Sequence, residues 1–92
     1  MKKVAFLFLT IDNINHPIFW EKYFENYYDK ISIYCHPKYP QKVTIPWQKK
    51  NIISRLVETG WGYIIDAYHS LLMEALKDKN NYKFVTISEA CI

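Results

Sequence analysis

The chain has 92 residues, 50% of them hydrophobic and 17% aromatic, enough for one small packed core and too much for a disordered polymer. A domain of this length hides only roughly 60–65% of its unfolded surface, so its stability margin is thin. The formal charge of +3 and pI near 8.8 fall short of the clustered basic surface that nucleic-acid binding requires, which excludes DNA and RNA as expected partners.

Met1-Lys2-Lys3 and the apolar run Val4–Leu9 superficially resemble a signal peptide. The run is shorter than the ~7–15 apolar residues of such a segment, and it leads straight into Thr10, Asp12 and Asn13 without a small-residue cleavage site. Because the run is apolar on both alternating faces, it predicts an interior strand covered by helices on both sides. Pro17 suits a first helical turn, with Asn15 or His16 as the cap. Trp20, Tyr23, Phe24, Tyr27 and Tyr28 follow at helical spacing, while Glu21, Lys22 and Glu25 face away, so an amphipathic helix is expected to end near Asp29.

Ile31, Ile33 and Cys35 alternate with Ser32, Tyr34 and His36, which predicts a strand stopped by Pro37. Pro37 to Asn51 carries three prolines and several lysines and reads as a long irregular connection, with a short strand at Val43–Ile45. Ile52–Val57 fits strand or helix, and Thr59-Gly60-Trp61-Gly62 breaks it in either case. Ile64, Ile65, Ala67, Tyr68, Leu71, Leu72, Ala75 and Leu76 give the strongest helical pattern, and Lys83–Ser88 returns to strand.

Alternating strands and helices imply an α/β domain with a Rossmann-like parallel sheet and flanking helices. Three or four strands make about half of a doubly wound sheet, so residues 1–92 read as a single partial domain with one strand edge open to pairing. Cys35 and Cys91 lack metal-ligand spacing and are expected to be reduced and buried.

Ligands of open α/β sheets bind beyond the carboxyl ends of the strands, near the point where strand order reverses. That rule selects Thr10-Ile11-Asp12, Cys35-His36-Pro37-Lys38 and Ser88-Glu89-Ala90. No Gly-x-Gly-x-x-Gly and no P-loop is present. Gly60 and Gly62 bracket Trp61, which fits a tight turn around a buried tryptophan, or a turn that offers the next helix's N–H groups to a ligand. His36 reads first as a hydrogen-bonded strand-end histidine, and His16 and His69 as structural or exposed. Asp66, inside the apolar helix pattern, fits either a tie to the preceding loop or a ligand contact, the structural role first. Glu89 is the most suggestive acid, at the position where the last strand leaves the sheet.

Several segments, in order, resemble the Core-2/I-branching β-1,6-N-acetylglucosaminyltransferase family, particularly its plant-type and microbial relatives. They are Val4–Thr10, the Trp20-Glu21-Lys22-Tyr23-Phe24 helix, Ser32–His36, Trp61-Gly62 with Asp66-Ala67 and Leu71-Leu72, and Phe84–Ile92 with its Ser-Glu-Ala-Cys-Ile ending. The resemblance implies the N-terminal half of an inverting, GT-A-type glycosyltransferase that uses a UDP-sugar donor and a glycan acceptor and needs no divalent metal. By position it nominates Thr10, His36, Trp61 and Gly62 for the nucleotide-sugar pocket, with Ser88 and Glu89 near the sugar.

Lys38 departs from the pattern, because animal members usually carry an acid there against the nucleoside. The family's catalytic glutamate and diphosphate-neutralising cations fall beyond the Ser-Glu-Ala-Cys-Ile segment, so no residue here is assigned as the base and the chain alone is expected to be inactive. Family members are often Golgi proteins with an N-terminal membrane helix; no such segment is present, and that localisation does not carry over. The alternative is a non-catalytic half-domain that binds or oligomerises through its open edge.

Overall fold

Lys3–Thr10 (β1) is the middle strand of a three-stranded parallel sheet, and its sequence explains why. Ala5 and Leu7 join the core on one face, Phe6 and Phe8 on the other, and all four are buried. A strand apolar on both faces is stable only when both are covered. The computed structural model describes residues 2–57 and 64–88, which form a small α/β domain with helices flanking the sheet.

After β1 come Pro17–Tyr27 (α1) and Ile31–Pro37 (β2), which pairs with β1 from Val4↔Ile31 to Thr10↔Pro37. A 3-10 turn at Pro40–Lys42 and a short helix, Pro46–Lys50 (α2), precede Ile64–Ala75 (α3). Asn81–Ser88 (β3) then pairs in parallel on the other side of β1, giving the order β2-β1-β3. The crossovers step across the sheet in opposite directions, so right-handed connections put α1 and α3 on opposite faces.

The core agrees with that placement. On the α1 face, Phe24 lies 5.6 Å from Phe6 and 6.0 Å from Phe8, and Trp20 lies 5.3 Å from Phe8. Trp47 of α2 closes the cluster, 5.2 Å from Phe24 and 5.7 Å from Phe8. Edge-on ring pairs of this kind contribute about 0.5–1.5 kcal/mol each beyond the area they bury. On the α3 face, Leu71 and Ala75 pack with Ala5, Leu7 and Ile53.

Polar side chains fasten the element ends. Asn81 donates from Nδ2 to the Ala75 carbonyl (2.8 Å) and the Tyr34 hydroxyl (3.0 Å), and accepts from Ser32 Oγ (2.6 Å). It thereby ties the C-terminal end of α3 to the starts of β2 and β3.

Several expectations need correction. Val43–Ile45 forms no strand; Val43 is buried after the 3-10 turn, and Ile45 is the extended residue that leads into α2. Pro46 sets the first turn of a helix that proline content alone did not suggest. Ile52–Val57 is neither regular strand nor helix, apart from a single parallel bridge between Ile52 and Cys35. Of the two expected caps of α1, His16 is the one found, in the left-handed region (φ 55°) and without a side-chain capping bond. Helix α1 ends at Tyr27, and Tyr28 is 77% exposed because it lies past the turn that faces the sheet. Strand β3 begins at Asn81, two positions before the expected Lys83.

Candidate functional site

The strand order reverses at β1: the chain goes first to β2 on one side and later to β3 on the other. The topological switch point therefore lies at the carboxyl ends of β1 and β3. Thr10 ends β1, His36 lies near the end of β2 and Ser88 ends β3.

Register divides these three residues. His36 and Ser88 both pair with Leu9, on either side of it. Paired residues in a parallel sheet share a face, and alternation from Ala5 and Leu7 puts this row on the α3 side. Thr10 falls one position later, beside Pro37, and belongs to the opposite face. Adjacent strands lie about 4.8 Å apart, so His36 and Ser88 stand about 10 Å apart on either side of Leu9, a gap that only an extended ligand spans.

His36 is wholly buried. Its Nε2 accepts a hydrogen bond from the Val57 N–H at 2.9 Å, which places the proton of the neutral ring on Nδ1. Nδ1 is buried and has no partner among the described residues. Burial pushes the imidazole pKa below its usual 6.5, opposed in part by the residue's own backbone. Ser88 Oγ is likewise buried and unpartnered among the described residues. A buried polar group without a partner costs about 1–3 kcal/mol, so two such groups in one row at the strand ends mark a place where an added polar partner would be stabilising.

Thr10 is committed elsewhere. Its hydroxyl donates to the Asp12 carbonyl (2.9 Å) and accepts from Gln48 Nε2 (3.2 Å). Gln48, wholly buried on α2, also donates to the Asp12 carbonyl (2.7 Å), and its Oε1 accepts from the Ile14 N–H (2.8 Å). Thr44 and Asn13 make a reciprocal pair at 2.9 and 3.1 Å, and the Lys38 N–H donates to the Thr10 carbonyl at 2.9 Å. The loop after β1 is therefore held from several directions by the segment after β2. Gln48 carried no signal in the sequence, because a glutamine between Trp47 and Lys49 reads as surface.

Lys38 is exposed at this end, its ammonium 5.5 Å from the centre of the Tyr39 ring. Asp66 and His69 are exposed on α3, and His16 is exposed at the start of α1, so none of them enters the strand-end row. Trp61, Gly62, Glu89 and Cys91 lie outside the described residues. Cys35 is a free, buried thiol on the α1 face, its pKa pushed up to about 12 by burial.

Among the described residues, no group of three or more His, Cys, Asp or Glu side chains is placed to hold a metal ion. No helix among them is long and apolar enough to cross a membrane. The described groups offer hydrogen-bond donors and an acceptor hydroxyl, which suits recognition of hydroxyl or phosphate oxygens. Compared with known proteins, the chain matches no family model, no curated protein and no solved structure.

Proposed function

We propose that this domain is the donor-binding half of a GT-A-type glycosyltransferase related to the Core-2/I-branching enzymes, and that it binds a UDP-sugar at the switch point. The observation that carries the reading is the pair of buried, unpartnered groups, His36 Nδ1 and Ser88 Oγ, in one row at the carboxyl edge of the sheet. The ordered likeness of the strand and helix segments to that family supports it.

In this reading the His36 Nδ1–H donates to a nucleotide or sugar oxygen and Ser88 Oγ binds further along the same ligand. The family likeness nominates Trp61, Gly62 and Glu89 as further donor contacts. Thr10 acts through Gln48 and Asp12 to shape the loop, and touches no ligand through its engaged hydroxyl. Lys38 gives the nucleoside end a cation where animal relatives carry an acid. Sugar transfer with inversion needs a base to take the acceptor hydroxyl's proton and cations to stabilise the departing diphosphate. Neither role is assigned to a residue here, so the expected behaviour is donor binding without turnover.

Isothermal calorimetry with UDP-N-acetylglucosamine tests this. Saturable heat without UDP release is expected, and His36→Gln and Ser88→Ala should each weaken binding by about fivefold, the equivalent of one net hydrogen bond. Absence of heat, or affinity untouched by both substitutions, would refute the reading.

A second reading, a module that pairs through a free strand edge, is favoured by one observation. Tyr82, Phe84 and Val85 of β3 are all exposed, whereas the outer edge of β2 is covered.

A further inference from the structure

At the other end of the sheet, the amino ends of the strands and the later turns of α1 enclose a cleft of about 260 Å³. Phe6 lines it from β1, and the rings of Tyr23, Tyr27 and Tyr82 line it from α1 and β3. These rings already brace one another: Phe6 and Tyr23 meet edge-on at 5.9 Å, and Tyr23 and Tyr27 lie 5.1 Å apart. Lys2 and Lys30 complete the polar part of the lining, and no acid takes part. The ion pairs among the described residues are Lys3–Asp78 and Lys77–Glu74, so neither cleft lysine is neutralised by them. The Lys2 ammonium instead lies 5.5 Å from the centre of the Tyr82 ring.

We propose that this cleft binds a small aromatic anion: a single ring bearing a carboxylate or phosphate. The tyrosine and phenylalanine rings offer edges and faces to a planar guest, which prefers offset or edge-on packing against them. Two ammonium groups without carboxylate partners select a negative substituent over a neutral or positive one. The volume is just under the ~300–1,000 Å³ of sites for drug-sized molecules, which limits the guest to about one ring and its acid group. The cleft lies at the amino ends of the strands, remote from His36 and Ser88, so its ligand is independent of any nucleotide bound at the switch point.

The test is an NMR titration of the full chain with benzoate and with phenyl phosphate, following the tyrosine ring signals, with benzyl alcohol as the neutral control. Saturable shifts at Tyr23, Tyr27 and Tyr82 are expected, with the anions binding at least about fivefold more tightly than the alcohol. Lys30→Ala, an exposed change that leaves the core intact, should weaken anion binding by about threefold and leave the alcohol unaffected. Tyr27→Leu should weaken both anion and alcohol by a similar factor through loss of ring packing. Equal affinity for benzyl alcohol, indifference to Lys30→Ala, absence of saturable shifts up to about 10 mM, or shifts confined to the strand tips would each overturn the proposal. A nucleotide sugar that shifts only the strand-tip signals would leave it standing.

Discussion

His36 carries the domain's most consequential proton. Its ring is buried with Nε2 accepting from Val57, an arrangement that requires the neutral form. The folded pKa lies below the usual 6.5, so in the interval between the two values the unfolded chain binds more protons than the folded one. The stability supplied by the neutral ring is therefore complete above about pH 6.5, declines as pH falls through that interval, and stops declining once the folded imidazole also takes a proton. Urea midpoints measured from pH 7.5 downward should show this slope in the native protein. They should show a shallower one in His36→Gln, whose amide oxygen can still accept the Val57 N–H without titrating. Identical slopes would mean that His36 is not the group responsible. The carboxylates contribute to both proteins and cancel in the comparison. Acid protonates Nε2 and breaks the Val57 bond, whereas Nδ1 carries the proton proposed to meet a ligand, so stability and the proposed recognition draw on the two nitrogens of one ring.

At the scale of elements, the sheet and its two long helices follow from pattern, and the short connections do not. The doubly apolar run of β1 demanded cover on both faces, and α1 and α3 provide it. The alternation Ile31–Cys35 and the three-and-four spacing through Leu71 and Leu72 likewise match β2 and α3. Helix α2 was not legible, because five residues are too few to show a period. Gln48 escaped for the same reason, since its burial depends on where Pro46–Lys50 lands against the β1–α1 loop. Candidate site residues were legible only as positions at strand ends. The sequence placed Thr10, His36 and Ser88 at three tips, but it could not show that Thr10 is engaged by Gln48 while His36 Nδ1 and Ser88 Oγ have no partner among the described residues. Gln48→Met tests how much α2 contributes through this one side chain. The substitution fits the volume but leaves the Ile14 N–H without its acceptor and removes the donor to the Asp12 carbonyl. A loss of about 2–4 kcal/mol in chemical denaturation is expected, with earlier hydrogen exchange in the β1–α1 loop. A loss below about 0.5 kcal/mol would show that water replaces the amide at little cost.

The two edges of the sheet are managed differently, and that asymmetry governs how the whole molecule behaves. Outside β2, the Cys35 N–H donates to the Asn51 carbonyl (2.9 Å), and the Cys35 carbonyl accepts from the Ile53 N–H (3.0 Å), so an irregular segment closes that side. Outside β3, no described strand pairs, and Phe84 and Val85 present apolar surface on opposite faces of the strand. An uncovered strand with apolar side chains is a template for another strand, and Lys83 is the only charge that β3 sets against such pairing. Met73 of α3 and Leu76 just after it are exposed, a separate apolar surface that could also drive association. Sedimentation equilibrium over a range of concentrations distinguishes them. Concentration-dependent association is expected for the native chain. Val85→Lys should shift it toward monomer, with stability changed by no more than about 0.5 kcal/mol, because the position is already solvent-accessible. Met73→Lys should leave association unchanged if the β3 edge is responsible. A native chain that stays monomeric throughout would remove the edge-pairing reading, and association abolished by Met73→Lys alone would move the contact to the helix. Pairing through β3 need not block the switch point, since that strand meets its partner along its length while the proposed donor site opens at its carboxyl end. A UDP-sugar titration repeated on Val85→Lys should therefore give the native affinity, and a changed affinity would mean that the edge and the strand ends are coupled.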